Sequence, residues 1–225
     1  MALECRLHPA TPMPDPDLVG RLERLQASLL SDVTGRWSGA VGLAPVAGLR
    51  PGQVVAGPAM TVRTRPGENL VVHKAMDLAR PGEVLVVAAG GAVDRAILGG
   101  LMGQYAAAQQ IAALVVDGAV RDLSELGQTA PPVFARGVSQ LGPYKDGPGE
   151  LRGPVSVGGL VVHDGDLVVA DEDGVAVLPR ADVDDVVRDA EDKRTAEEEE
   201  SAAIAAGTWD RTWVDERLTL REVSP

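Results

Sequence analysis

Short apolar runs set between glycine and proline turns constrain this chain more than any other feature. Val84-Leu85-Val86-Val87 and Ala113-Leu114-Val115-Val116 are brief and lack a polar face, so each reads as a strand buried on both sides. Val133-Phe134-Ala135 is a third such run. Pro81-Gly82 turns the chain into the first strand and Gly90-Gly91 ends it. Asn69 to Leu78 and the Ala- and Gly-rich stretch Asp94 to Gln110 read as helices between the strands, which gives a βαβα unit.

The flanking segments complete a mixed α/β pattern. Met1 to Pro16 carries Pro9, Pro12, Pro14 and Pro16 and reads as an irregular arm. Leu18, Leu22, Leu25 and Leu29 recur at helical spacing after Pro16 and Asp17, and predict one helix. Gly35 to Gly42 is a glycine-punctuated loop, and Val54 to Arg63 alternates as a strand. From Pro154 the pattern changes to hairpins, with strands over 156–162, 166–170 and 175–178 separated by Asp164-Gly165 and Asp173-Gly174. Asp182 to Ala206 is a charged helix. The expected organisation is an arm over 1–16, one domain over 17–206 that includes this helix, and a tail over 207–225 with Trp209 and Trp213.

Composition narrows the function. Aromatic residues make up only 3 % of the chain, so Val, Leu and Ala must fill the core. A formal net charge of −12 argues against nucleic acid, whose phosphates need surplus Lys and Arg. Much of that acidity lies between Asp182 and Glu200, which leaves room for a local anion site elsewhere. Cys5 is the only cysteine, so no internal disulfide can form. No apolar run approaches the roughly 20 residues that span a bilayer, and the proline-rich N-terminus does not read as a signal peptide. A cytoplasmic protein is expected.

The densest chemical signal is Asp117-Gly118-Ala119-Val120-Arg121-Asp122-Leu123-Ser124-Glu125, which follows a buried strand. Open α/β sheets place their sites at such strand ends. The Arg121 guanidinium can grip a carboxylate or ketone oxygen, and the Asp122 carboxylate can hold a hard cation. From spacing alone, a surface turn with a local ion pair and a helix start stands beside that reading. Gly99-Gly100-Leu101-Met102-Gly103 permits either close approach of a ligand to backbone N–H groups or close helix packing. His8, His73 and His163 lie in unrelated segments and read as ordinary residues.

In order and spacing, these stretches together with Gly57-Pro58-Ala59-Met60-Thr61-Val62, Gly67-Glu68-Asn69-Leu70, Pro132 to Gly137 and Asp164 to Val175 resemble the RraA-like family. That family includes 4-hydroxy-4-methyl-2-oxoglutarate aldolases and regulators of ribonuclease activity. The resemblance covers roughly Leu18 to Glu200. It implies a three-layer β/β/α fold of the swivelling type, assembled as a homotrimer or hexamer. It also implies Mg²⁺ or Mn²⁺ held through Asp122, with Arg121 on the pyruvyl oxygens. Backbone N–H groups of Gly100, Leu101 and Met102 would hold the carboxylate, and an acidic residue of a neighbouring subunit's C-terminal helix would approach the site.

Such a site serves a lyase acting on a small 2-oxo acid. Aldol cleavage and oxaloacetate decarboxylation both leave pyruvate enolate, whose charge a divalent cation and a guanidinium stabilise. No lysine lies near either motif in sequence, and none is needed as a Schiff base. The chain departs from the aldolase pattern at Gly100, twenty-one positions before Arg121, where the aldolases carry an acid. That departure predicts better decarboxylation than aldol cleavage, and a gain in cleavage from Gly100→Asp if the new side chain leaves the pocket open. A non-catalytic regulator that binds a ribonuclease is the competing expectation. A methyltransferase is not, because no nucleoside-binding glycine loop is present.

Overall fold

The computed structural model describes residues 4–221 and 223. The chain begins with β1 (Arg6–Leu7), α1 (Pro16–Leu22), α2 (Ala27–Val33) and β2 (Ala44–Ala47). The central region runs β3 (Val55–Arg63), α3 (Leu70–Leu78), β4 (Val84–Ala88), β5 (Ala96–Leu98), α4 (Gly100–Ala108), β6 (Ala113–Val120), α5 (Leu123–Thr129) and β7 (Val133–Val138). Then come β8 (Glu150–Leu151), β9 (Val155–Val157), β10 (Leu160–Val162), β11 (Leu167–Asp171) and β12 (Gly174–Leu178), followed by α6 (Val183–Ala206) and α7 (Thr212–Arg217).

The apolar runs form the centre of the sheet. Strands β3, β4, β6 and β7 lie side by side and parallel, and every residue of β4 and β6 is buried. Alternation sends successive side chains to opposite faces. Leu85, Val87 and Leu114 pack under α3, α4 and α5 with Met76, Met102 and Leu126. Val84, Val86, Val115 and Phe134 pack against the hairpin layer through Val162, Val168 and Val177. The outer face of β11 and β12 is covered by α1, α2 and α6, through Leu22, Leu30, Leu167, Val169, Leu178 and Val187. The result is a mixed α/β domain in which two β layers and the α3–α5 layer stack, with the C-terminal helix against the second β layer.

Strand β3 joins the two β layers. Residues 55–58 pair antiparallel with β11, and residues 59–63 pair parallel with β4. The crossing point needs Gly57, because a Cβ there would lie 2.3 Å from the carbonyl oxygen of Gly82.

Four local expectations change. The stretch 156–162 is not one strand but the antiparallel hairpin β9–β10, turned at Gly158-Gly159. The leucine stripe over 18–29 is divided between α1 and α2. The break is stabilised by Asp171, whose Oδ2 accepts the Ala27 N–H at 2.8 Å, while Leu22, Leu25 and Leu29 stay buried. The stretch Asp94 to Gln110 is not one helix. Ala96–Leu98 pairs with the far end of β6, and α4 starts only at Gly100. The arm is irregular in part only: β1 pairs parallel with β8, and Thr11 is bonded to Asp164. No helix among the described residues is long and apolar enough to cross a membrane.

Candidate active site

The end of β6 and the start of α4 meet at one point. The Arg121 N–H donates to the Leu98 carbonyl at 3.0 Å, which holds the strand end against the β5–α4 junction. Asp122 then adopts φ +58°, in the left-handed region, before α5 begins. Asp tolerates that region better than most residues, and such conformations concentrate at functional sites. Asp122 Oδ2 accepts the Gly100 N–H at 3.2 Å and lies 3.5 Å from Arg121 Nε. Both side chains remain about two-fifths exposed, so neither is consumed by the fold. Gly99 makes the arrangement possible: a Cβ there would sit 2.3 Å from Asp122 Oδ2 and 3.0 Å from Arg121 Cγ.

Arg121 and Asp122 open onto a cavity of about 150 Å³, whose other walls include Leu101, Met102, His73 and Lys145. A cleft of this size can receive a small acid. Gly100 is not among the walls. Its N–H is taken by Asp122, and its missing side chain faces α5, where a Cβ would fall 1.8 Å from Glu125 Oε2 and 2.8 Å from Glu125 Cβ. Gly103, one turn on, is pressed in the same way against Leu126 and Ala130. These glycines serve close packing of α4 on α5, and an Asp at position 100 would first have to displace Glu125.

Two wall residues correct the sequence reading. Lys145 is remote from both motifs in sequence, yet its Nζ donates to Asn69 Oδ1 at 3.2 Å and lies 3.4 Å from His73 Nε2. His73 is therefore part of the site. Burial, and then the Lys145 charge, hold its pKa below the ordinary imidazole value, with Asp77 pulling weakly the other way. Asn69 is itself buried and fixed by donation to the Ile97 carbonyl at 2.8 Å. No periodicity marks Lys145, because it sits on an irregular segment between β7 and β8.

That segment is tied down as a strap. The buried Glu68 carboxylate accepts the N–H groups of Asp146 at 2.9 Å and Gly147 at 2.8 Å, as well as that of Leu70 at 2.9 Å. Burial alone would raise the Glu68 pKa, but these N–H groups and Arg65 outweigh it and lower the value. Arg95 stacks 4.3 Å above the Tyr144 ring and donates to the Gly142 carbonyl. Backbone bonds from Tyr144 to Gly67 and from Asn69 to Tyr144 complete the anchorage.

His8 and His163 lie elsewhere: His8 bonds Glu150 at 2.6 Å, and His163 lies beside Asp166. Among the described residues no three acids, histidines or cysteines cluster as a metal cage.

Known proteins share this architecture. The chain is 40 % identical over 151 residues, 67 % of its length and 72 % of the other's, to a Halalkalibacterium halodurans protein provisionally named 4-hydroxy-4-methyl-2-oxoglutarate aldolase. It is 37 % identical over 112 residues to the 4-hydroxy-4-methyl-2-oxoglutarate aldolase of Thermus thermophilus, covering 50 % of this chain and 68 % of that one. The crystal structure of Streptomyces coelicolor RraAS2, described as an unusual member of the RNase ES inhibitor RraA protein family, superposes with a TM-score of 0.73 at 29 % identity. That match covers 82 % of this chain and 96 % of the other. Residues 27–177, which span the whole site described above, match the family model Aldolase/RraA, and the chain belongs to the RraA-like family.

Proposed function

We propose that the protein is a divalent-metal-dependent lyase of pyruvyl compounds, cleaving aldols of the 4-hydroxy-4-methyl-2-oxoglutarate type, decarboxylating oxaloacetate, or both. One observation carries the reading. In a protein of net charge −12, a cavity sized for a small acid gathers the cations of Arg121 and Lys145 around the single carboxylate of Asp122. Such a balance favours an anionic ligand, and the relatives named as aldolases support a lyase.

The donor set fits a hydrated hard cation. Asp122 presents a half-exposed carboxylate, and Mg²⁺ commonly takes one or two carboxylates while keeping its waters. Mg²⁺ or Mn²⁺ bound there would supply positive charge beside the 2-oxo group as the carbon–carbon bond breaks. Arg121 stabilises the same developing oxyanion with a planar, two-point contact. The N–H groups of Leu101 and Met102, in the first turn of α4, are free of helical partners and suit the pyruvyl carboxylate. The Gly100 N–H acts indirectly, by holding Asp122. Lys145 is placed for a second carboxylate. For assembly we propose a homotrimer or hexamer in which α6, whose distal half is exposed, reaches a neighbouring subunit.

The test is pyruvate release from oxaloacetate and from 4-hydroxy-4-methyl-2-oxoglutarate, side by side, with and without Mg²⁺. Release that requires Mg²⁺ is expected from at least one. Release from neither would leave a ribonuclease-binding regulator as the better account.

A further inference from the structure

The proton that moves during aldol cleavage needs a carrier within the cavity. Asp122 is engaged by the Gly100 N–H and Arg121, and Glu125 covers Gly100 without joining the cavity wall. His73 does join the wall. Its imidazole projects from α3, and Lys145 is the charged group facing it from the strap. On its own helix the charged residues are Lys74, next in the chain, and Asp77, one turn on, which is engaged by Tyr105 Oη at 3.0 Å and Lys74 Nζ at 3.5 Å. An ammonium can only donate, so Lys145 makes Nε2 the acceptor and leaves the ring proton on Nδ1. His73 is thereby held as a neutral imidazole with its lone pair directed at the group that faces the incoming anion.

We propose that His73 carries the proton in carbon–carbon cleavage, an assignment that rests on the lyase reading of the same cavity. Nε2 takes the hydrogen of the C4 hydroxyl as the C3–C4 bond breaks. The C4 oxygen becomes a carbonyl, and the pair from the broken bond passes into the C2–C3 enolate. The imidazolium then returns that hydrogen to C3, which becomes the methyl group of pyruvate. Substrate binding aids the first step, because a carboxylate that engages Lys145 draws the ammonium away from Nε2. A neutral imidazole whose pKa lies near or below working pH suits a general base, and burial with the Lys145 charge provides that condition.

The experiment compares wild type, His73→Asn and Lys145→Met in aldol cleavage and in oxaloacetate decarboxylation, which has no hydroxyl proton to remove. His73→Asn is expected to lower aldol cleavage by about 10²–10⁴-fold, and to lower its ratio to decarboxylation by at least about tenfold. In wild type, the acidic limb of kcat/KM for aldol cleavage should lie below the ordinary imidazole pKa of about 6.5. It should move upward in Lys145→Met, where the neighbouring charge is gone, and vanish in His73→Asn. An unaltered ratio, or an acidic limb that persists in His73→Asn, overturns this assignment alone. Release of pyruvate from neither substrate by the wild type overturns the lyase reading and this assignment with it.

Discussion

Arg121 and Asp122 are placed by backbone more than by side-chain packing. The left-handed Asp122 turns the chain from β6 into α5, and Gly99 leaves the space its carboxylate needs. With both side chains partly exposed and paired only weakly, replacing either disturbs the site before it disturbs the fold. Arg121→Ala is expected to reduce kcat/KM for pyruvate release by about two to three orders of magnitude, the scale of one lost oxyanion donor. Arg121→Lys should fail too, since an ammonium lacks the planar fork. An active Lys variant would mean that charge alone suffices. The position of the pair, at the end of a buried strand, was legible because its residues are adjacent; its reading as a site came from the family resemblance, since spacing alone also allowed a surface turn. Lys145 and His73 were not legible, since 71 intervening residues and an irregular segment separate them and only tertiary structure brings them within 3.4 Å.

Among the elements, those with a one-dimensional signal were the easiest to read. Strands β4 and β6 carry no polar face, so burial on both sides follows directly. The leucine stripe over α1 and α2 predicted the buried face correctly and the helix continuity wrongly, because the side chain of Asp171 caps a new helix at Ala27. The division of β5 from α4 was hidden for a similar reason: the partner of Ala96–Leu98 is the distal half of β6, outside any local window. The strap between β7 and β8 carries Lys145 to the cavity wall, and its anchor is Glu68. Glu68→Ala should loosen Lys145, raising KM for a dicarboxylate substrate at least about tenfold, the worth of one well-placed charge-assisted hydrogen bond. Steady-state kinetics checks this, and an unchanged KM in a folded variant would show that the strap holds its place without Glu68.

Across the whole molecule, the β layers are locked by a buried ionic cluster remote from the cavity. Arg152 bonds Glu83 at 2.9 and 3.0 Å and Asp164 at 2.9 Å, while Arg80 joins Glu83 to the arm through the Thr11 carbonyl at 2.7 Å. Burial would raise the Glu83 pKa, but Arg152 and Arg80 more than reverse it, so the value falls below the ordinary 4.5. A carboxylate with a lowered native pKa contributes stability that is present above its unfolded pKa and lost as pH falls through its native one. Thermal unfolding should therefore shift to lower temperature as pH drops below about 4.5. Glu83→Ala should cost about 3–5 kcal/mol at neutral pH, because it removes the two-point partner of buried Arg152 and leaves Asp164 alone to balance it. Chemical denaturation measures that loss, and a change under about 1 kcal/mol would show that Arg152 finds compensation.

The central claim, that Asp122 and Arg121 form a metal-assisted pyruvyl site, is tested most directly by binding of oxalate, a planar mimic of pyruvate enolate. Calorimetry with wild type and Asp122→Asn, each with and without Mn²⁺, isolates the site from the unknown half of the substrate. Asn accepts the left-handed backbone at position 122, so the variant keeps the fold while losing the charge. Oxalate is expected to bind wild type only when Mn²⁺ is present, and to lose that metal dependence in Asp122→Asn. Equal oxalate affinity in the two proteins, or binding to wild type unaffected by Mn²⁺, would contradict the account.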